Sequence, residues 1–365
     1  MGDRKRALEG LAVNPDFWRD KRVFITGHTG FKGGWLAMWL KALGATVHGY
    51  ALAPPTTPNL FTVCNLRGLL DGHRIDDIRD AGALSDALRA AAPDVVLHLA
   101  AQPLVRLSYA APVETYAVNV MGTVNVLEAA RHVPSIKAVV VVTSDKCYQN
   151  RETATPFTED DAMGGLDPYS SSKGCAELVT AAYRASFLNA AHIHVASARA
   201  GNVIGGGDWA ADRLIPDFLR ALDAGQVLTI RSPNAVRPWQ HVLESLSGYL
   251  TLAERLLTHG PSAAQAWNFG PDEADAQSVR WIVDKLVQHA ASSQWRVDDA
   301  TTTHPYESNV LRLDSAKAKR ELNWHPRWTL DTALQQTLAW HRAWQAGADM
   351  LAESRAQIQA FQSAA

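Results

Sequence analysis

Tyr169 and Lys173 stand four residues apart in PYSSSK, the spacing that puts a phenol and an ammonium on one face of a helix. A lysine in that place lowers the phenol's pKa through its charge and makes the tyrosine a general base near neutral pH. Upstream, the strongly apolar run KAVVVVTS (137–144) ends in Ser144, and Asn119 lies in a helical stretch before it. Asp145 and Lys146 follow the serine directly. A titratable pair at the mouth of a strand is more than a simple oxidation demands; it supplies an acid and a base, or else forms a plain loop ion pair.

These residues need a frame. From Arg22 on, apolar runs of strand length alternate with helical patterns: VFITG (23–27), WLAMWLKAL (35–43), TVHGYAL (46–52), DVVLHLAA (94–101), a helical stretch from Pro112 to His132, KAVVVVTS, a helix from about Tyr169 to Leu188, and HIHVASARAG (192–201). Continuously apolar strands alternating with helices imply an α/β, Rossmann-type doubly wound parallel sheet covered on both faces. Beyond Gly201 the alternation weakens and Pro, Trp and Arg become frequent. The expected organisation is an N-terminal extension (1–20), a dinucleotide-binding domain (21–200, with a returning segment near 239–270) and a smaller interleaved α/β substrate region (201–238 and 271–350). The helical pattern at 330–347 closes the fold.

Between the first strand and first helix lies TGHTGFKGG, with Gly27, Gly30 and Gly33 three residues apart. The first glycine permits the tight turn, the second lets backbone amides approach a pyrophosphate, and the third lets helix and sheet pack closely. Thr29, Phe31 and Lys32 complete this turn. No acidic residue occurs between Asp20 and Asp71 to hold the adenosine ribose, and no arginine between Phe24 and Asn65 to bind a 2′-phosphate. The expected cofactor is NAD, anchored at the ribose by something other than a carboxylate after the second strand. Asp77 and Ile78 are expected near the adenine, Ala100 and Ala101 along the cofactor, and Tyr169 and Lys173 at the nicotinamide ribose.

The glycine spacing, and the set Asn119, Ser144, Tyr169 and Lys173, resemble the extended short-chain dehydrogenase/reductase superfamily and its NAD-dependent epimerase/dehydratase family. Nucleotide-sugar 4,6-dehydratases of that family carry Thr-Asp-Glu where this chain has Ser144, Asp145 and Lys146, and the lysine is similar to the CDP-glucose branch. The resemblance runs through AQPLVRLSY (101–109), ETYAVNVMGT (114–123), GGLDPYSSSKGCAELV (164–179), RAGNVIGGGDWA (199–210), DRLIPD (212–217), RPWQHVLE (237–244), WNFGP (267–271) and LNWHPRW. It implies conversion of CDP-glucose to a 4-keto-6-deoxy sugar, an early step toward the deoxyhexoses of lipopolysaccharide. It also implies Gln102 and Arg106 in the sugar pocket, Asn202, Asp208, Trp209 and Arg213 along the sugar diphosphate, and Arg231 and Arg237 on its phosphates. The same tetrad would serve a nucleotide-sugar 4-epimerase or 4-ketoreductase, which loses no water; a silent NAD-binding scaffold would lack Tyr169 or Lys173.

Composition narrows the partners. With 35 Lys+Arg against 37 Asp+Glu, net charge −2, the 365 residues carry no polycationic surface for nucleic acid. The longest apolar runs fall short of the ~20 residues of a membrane helix, and no signal peptide is expected of a start charged where such a peptide needs an apolar core. Three dispersed cysteines fit a reducing, cytoplasmic setting, and no metal site is expected. His192 and His194 lack further ligands, and Cys147 reads as a small buried hydrophobe. Trp35 and Trp39 read as packing residues, Trp209 and Trp239 as pocket walls. A homodimer or homotetramer is expected, since the helices carrying Asn119 and Tyr169 form the usual dimer surface in the superfamily.

Overall fold

The computed structural model describes residues 12–290, 294–298 and 308–364. Its strands are β1 (Arg22–Thr26), β2 (Thr46–Ala51), β3 (Gly72–Ile75), β4 (Val95–His98), β5 (Ala138–Val142) and β6 (His194–Ala200), then β7 (Asn202–Ile204), β8 (Leu228–Ile230), β9 (Val236–His241), β10 (Ala266–Phe269), β11 (Ala276–Ser278) and β12 (Trp295–Val297). Seven of them form one sheet in the order β10-β6-β5-β4-β1-β2-β3, with every pairing parallel. The strand order reverses between β1 and β4, so the crevice at their carboxyl ends is the place such a sheet offers to a ligand. The doubly wound parallel fold expected from the alternation is the fold observed.

The described helices of ten residues or more are α1 (Phe31–Ala42), α2 (Ala81–Ala91), α3 (Gly122–Arg131), α4 (Pro168–Tyr183), α5 (Leu214–Asp223), α6 (Val242–His259), α7 (Val279–Ala290), α8 (Leu330–Gln345) and α9 (Met350–Ser363). One face of the sheet packs on α1 and α6, with Trp35, Trp39, Leu246 and Tyr249 fully buried there; the other packs on α2, α3 and the α4 extension through Leu84, Val126 and Leu188. Burial of β5 on both sides explains its unbroken run of valines.

After β6 the chain leaves the large sheet. β7, β9 and β11 make a separate small sheet, and α5, α7 and α8 enclose its own apolar core around Phe218, Ile282 and Leu334. The chain then returns through α6 and β10, which pairs with β6. The last helix α9 lies beyond the stretch expected to close the fold and comes back to α1, where Phe361 meets Trp39 edge to face at 5.7 Å between ring centroids. Trp239 belongs to the small core rather than to a pocket wall: it is buried and its Nε1 donates to the Gln277 carbonyl at 3.1 Å.

Candidate active site

The turn after β1 is built by sterics. Gly27 adopts φ +84°, and a Cβ there would stand 2.8 Å from the Ala100 amide nitrogen; a Cβ on Gly33 would stand 2.1 Å from the Gly27 carbonyl oxygen. Gly30 is different. Its Cβ would meet only the Gly27 oxygen at 3.4 Å, so nothing in the protein itself demands a glycine there. It is also the N-cap of α1 and offers no side-chain cap to the helix's first amides. An open Cβ position beside uncapped amides fits a pyrophosphate lying against the backbone. Phe31 turns into the core, its ring edge beside Gly205. Ala100 closes the opposite wall, its amide on the Thr26 hydroxyl at 3.2 Å, and Ala101 follows it along the crevice.

The adenosine end carries no carboxylate at the mouth of β2, where Thr29 donates to the Leu52 carbonyl at 2.8 Å. Asp77 is engaged instead by Arg79, whose Nε and Nη2 lie 2.9 and 2.6 Å from Oδ2, and this pairing holds its carboxyl below the usual range. Ile78 is buried under α3, with its carbonyl on Asn125 at 2.9 Å.

At the other end, Asp167 caps α4 by accepting from the Ser170 amide at 2.9 Å, and Pro168 opens the first turn. The cap places Tyr169 in that turn, buried and facing Ser144 and Asp145. Burial pushes its phenol up to about 12; the Ser144 hydrogen bond and the Arg213 charge pull downward, and Asp145 pushes up. Lys173, one turn on, donates to the Val142 carbonyl at 3.3 Å, and burial brings its ammonium down to about 8 against the pull of Glu177. The expectation that the Lys173 charge lowers the phenol's pKa is therefore modified: burial leads, and the cation that opposes it is Arg213.

Ser144 donates to Asp145 Oδ1 at 2.9 Å and accepts from the Lys146 amide at 3.2 Å. The Lys146 ammonium reaches the same Oδ1 at 3.2 Å, while Asp145 Oδ2 is buried with no partner. The Asp145 side chain is fully enclosed and that of Lys146 a quarter exposed. Asn119 sits in a π-helical turn (Ala117–Met121) that aims it at the crevice. It accepts from the Gln102 amide at 2.8 Å and donates to the Gln102 carbonyl and the Ser172 hydroxyl at 3.0 and 2.9 Å. It thus ties the loop after β4 to α4.

Lys32 projects from the phosphate turn into this same centre. Its ammonium donates to the Tyr249 hydroxyl at 3.4 Å, and burial, with the charges of Arg213 and Lys173, lowers it to about 7. Neither this lysine's reach nor the buried network behind Lys173 was legible in the motifs. In that network Glu177 accepts from Thr143, from Ser197 at 2.6 Å and from Arg199 at 2.8 Å, and Arg199 donates to Tyr148 at 2.7 Å. The available signal was Glu177 itself, an acidic residue one turn beyond Lys173 on the helix face that meets the sheet.

The expected sugar-diphosphate residues divide. Asn202 Oδ1 is buried without a partner, as a ligand-facing amide would be. Arg213 pairs with Asp208 at 2.8 Å beside the catalytic centre, while Arg106 and Arg231 share Asp212 at 3.4 and 3.7 Å. Three expectations meet a different geometry. Gln102 is occupied internally, its amide on Thr115 at 2.9 Å and its oxygen on the Leu104 amide at 2.6 Å. Arg237 braces backbone carbonyls of Val236, Ser308 and Asn309. Trp209 packs edge-on against Trp340 and Trp344, at 5.8 and 5.1 Å between ring centroids. Among the described residues no group of three His, Cys, Asp or Glu could hold a metal, and no helix is long and apolar enough to cross a membrane.

Known proteins are similar to this chain in sequence and in fold. A family model described as GDP-mannose 4,6 dehydratase matches residues 24–337. The chain is 52% identical over 358 residues to the CDP-glucose 4,6-dehydratase of Salmonella typhimurium, covering 96% of this chain and 99% of that protein. Among solved structures, the dTDP-glucose 4,6-dehydratase DesIV of Streptomyces venezuelae, with NAD and TYD bound, superposes with TM-score 0.75 at 25% identity, covering 90% of this chain and 99% of that one. A UDP-glucose 4-epimerase of Stenotrophomonas maltophila with NAD shares the fold at TM-score 0.78 and 21% identity, covering 90% of this chain and 100% of that one.

Proposed function

The chain belongs to the GDP-mannose 4,6 dehydratase family, and from that premise we propose that it is an NAD-dependent dehydratase that converts CDP-glucose to CDP-4-dehydro-6-deoxy-glucose. The observation that carries the reading is the Asp145–Lys146 pair at the mouth of β5, beside Tyr169, in a chain so similar along its whole length to the Salmonella enzyme.

The chemistry follows from need. The C5 proton of a hexose is not acidic until C4 is a ketone; the ketone also leaves the C6 hydroxyl β to a carbonyl, ready for elimination. The chemistry NAD would supply here is reversible hydride acceptance, which the C4 oxidation and the C6 reduction both require. The Gly27–Gly33 turn and the amides opening α1 would hold its pyrophosphate, and Tyr169 and Lys173 would meet its nicotinamide ribose. Tyr169 takes the 4-hydroxyl proton and Ser144 hydrogen-bonds the developing oxygen. Lys146, or a water it holds, takes the C5 proton. Asp145 hands a proton to the departing hydroxyl, and Oδ2, enclosed and unpartnered, faces no competing bond. Lys146 then returns a proton to C5. Arg106, Arg213 and Arg231 suit the diphosphate, since each guanidinium fork binds phosphate oxygens bidentately.

The test is incubation with CDP-, dTDP-, UDP- and GDP-glucose, scoring 4-keto-6-deoxy product with and without added NAD. The expected result is turnover of CDP-glucose in D2O with deuterium at C5 and the C4 hydride at C6. Turnover of dTDP-glucose alone overturns the substrate, and C4 epimerisation without water loss overturns the reaction. The same reading includes a cytoplasmic place early in deoxyhexose supply for lipopolysaccharide. It also includes a homodimer or homotetramer, supported by exposed Val113 and Met121 on one helical stretch and Leu178 and Phe187 on another. Light scattering that returns a monomer at micromolar concentration removes the assembly.

A further inference from the structure

The acid and base of the proposed dehydration sit on very little chain. Asp145 and Lys146 belong to a single three-residue turn, Asp145–Cys147, between the end of β5 and Tyr148. A turn so short has no ladder of its own to fix it, yet reacting groups lose rate steeply once they drift from line. Its supports come from elsewhere in the fold.

Two residues before Asp145, the Thr143 hydroxyl donates to Glu177 Oε1. Two residues after Lys146, the Tyr148 hydroxyl accepts from Arg199 Nη1 at 2.7 Å and donates to Asn268 Oδ1 at 2.6 Å. Arg199 Nη2 in turn donates to Glu177 Oε2 at 2.8 Å, and both side chains of this ion pair are buried. One pair joining α4 to β6 thus grips the chain on both sides of the acid–base turn. The grip is itself fastened, to β6 where Ser197 donates to Glu177 at 2.6 Å and to β10 where Asn268 Nδ2 donates to the Phe157 carbonyl at 2.9 Å. The Tyr148 ring lies stacked on Phe157, 4.8 Å between centroids and 3° between planes. The turn also rests close on α4, where a Cβ on Gly174 would stand 3.3 Å from the Cys147 carbonyl oxygen.

A buried ion pair is weak evidence for stability, because desolvation offsets much of its attraction; what this one fixes is a place. We propose that Glu177 and Arg199, acting through Thr143 and Tyr148, are positioning residues that hold Asp145 and Lys146 in register with C5 and C6 of the sugar. This rests on the dehydratase reading of the site. The consequence is selective. Removal of hydride from C4 uses Tyr169 and Lys173, which have supports of their own in the Asp167 cap and the Val142 carbonyl. Elimination uses Asp145 and Lys146. Loosening the turn from the Tyr148 side therefore slows elimination and spares oxidation. Glu177 also acts on Lys173 through its charge, so the selective probes are the hydroxyls that the pair holds rather than the pair itself.

The test separates the two steps. CDP-6-deoxy-glucose has a 4-hydroxyl to oxidise and no 6-hydroxyl to lose, so its single-turnover oxidation at saturating NAD, followed by reduced-nicotinamide absorbance, reads the first step alone. Single-turnover dehydration of CDP-glucose reads both. Tyr148→Phe keeps the stacked ring and removes only the hydroxyl that Arg199 and Asn268 share. It is expected to oxidise the probe at the wild-type rate and to dehydrate CDP-glucose roughly ten- to a hundredfold more slowly, with reduced nicotinamide building up while the 4-keto sugar waits for elimination. Thr143→Val loses the bond to Glu177 on the other side of the turn and is expected to show the same build-up; Thr143→Ser keeps the hydroxyl and is expected not to. That pair carries the test if Tyr148→Phe does not fold. Equal slowing of both steps is a general loss of structure and overturns the positioning role, as does dehydration at the wild-type rate. A wild-type protein that oxidises the probe but never dehydrates CDP-glucose overturns the functional reading instead.

Discussion

The two ends of the crevice hold their ligand by different means. At the β1–α1 turn the binding surface is backbone: amides without a side-chain cap, and glycines whose added Cβ would meet backbone at 2.1 and 2.8 Å, while Asp77 at the adenosine end is paired to Arg79. At the β5–α4 end the surface is ionisable: Tyr169, Asp145, Lys146, Lys173 and Lys32 converge where water is largely excluded, and burial is the main force moving the proton affinities of Tyr169, Lys173 and Lys32. A diphosphate needs only fixed dipoles, which hold through changes of pH. A reaction that oxidises, eliminates and reduces in one cleft needs groups that change protonation, and burial tunes them.

Experiments can sharpen that contrast. Tyr169→Phe strikes the ionisable end directly and is expected to lower turnover about 10²–10⁴-fold while leaving the melting temperature nearly unchanged; a variant retaining a tenth of wild-type activity would break the assignment. Glu177→Gln removes the carboxylate from a buried ion pair, and urea unfolding is expected to show a loss on the order of 3–5 kcal/mol, with the alkaline limb of the kcat profile moved to lower pH as Lys173 loses its anionic neighbour. Unchanged stability would mean that Arg199 finds another partner. At the backbone end, Gly33→Ala is expected to cost about 1–3 kcal/mol and to abolish NAD retention, because its Cβ meets backbone. Gly30→Ala keeps the fold and weakens NAD binding alone. Equal melting temperatures for the two alanine variants would erase the distinction between packing and ligand glycines.

The last effect is one of pH. His28 lies in the turn, buried between Gly49 and His73 with both ring nitrogens unpartnered, and burial, then the His73 charge, lowers it to about 4. Its folded pKa lies below the unfolded 6.5, so the unfolded chain takes up the proton first. Stability is therefore full above about pH 6.5 and falls as pH drops toward 4, by up to roughly 3 kcal/mol from this residue. His98 and His241, each lowered to about 3 by burial, act in the same direction. Unfolding at pH 7 and pH 5 measures the slope, and His28→Leu is expected to make it shallower, leaving the share of His98 and His241.

Legibility followed range along the chain. The turn glycines, the valine run of β5 and the tyrosine–lysine pair are local patterns, so the fold class and the two ends of the crevice could be read from spacing. Contacts that join distant segments could not. Gln102 and Arg237 carry the residue types of ligand-binding side chains, yet their hydrogen bonds brace loops. Lys32 read as a phosphate-turn residue because its partner Tyr249 lies 217 positions away. The tryptophan excess became intelligible only in three dimensions, where Trp35, Trp39, Trp267 and Trp340 are fully buried between layers.

By itself, then, the sequence determined a parallel sheet with a phosphate turn, a helix presenting a phenol and an ammonium on one face, and an acid beside them, because each depends on the periodicity or sterics of a few adjacent residues. The tertiary structure decided which of those groups are buried, which are already bonded to the protein, and that Ser144 is bonded to Asp145 beside a buried Tyr169. Those properties depend on how much water each group keeps, and that is set by the layers packed around it.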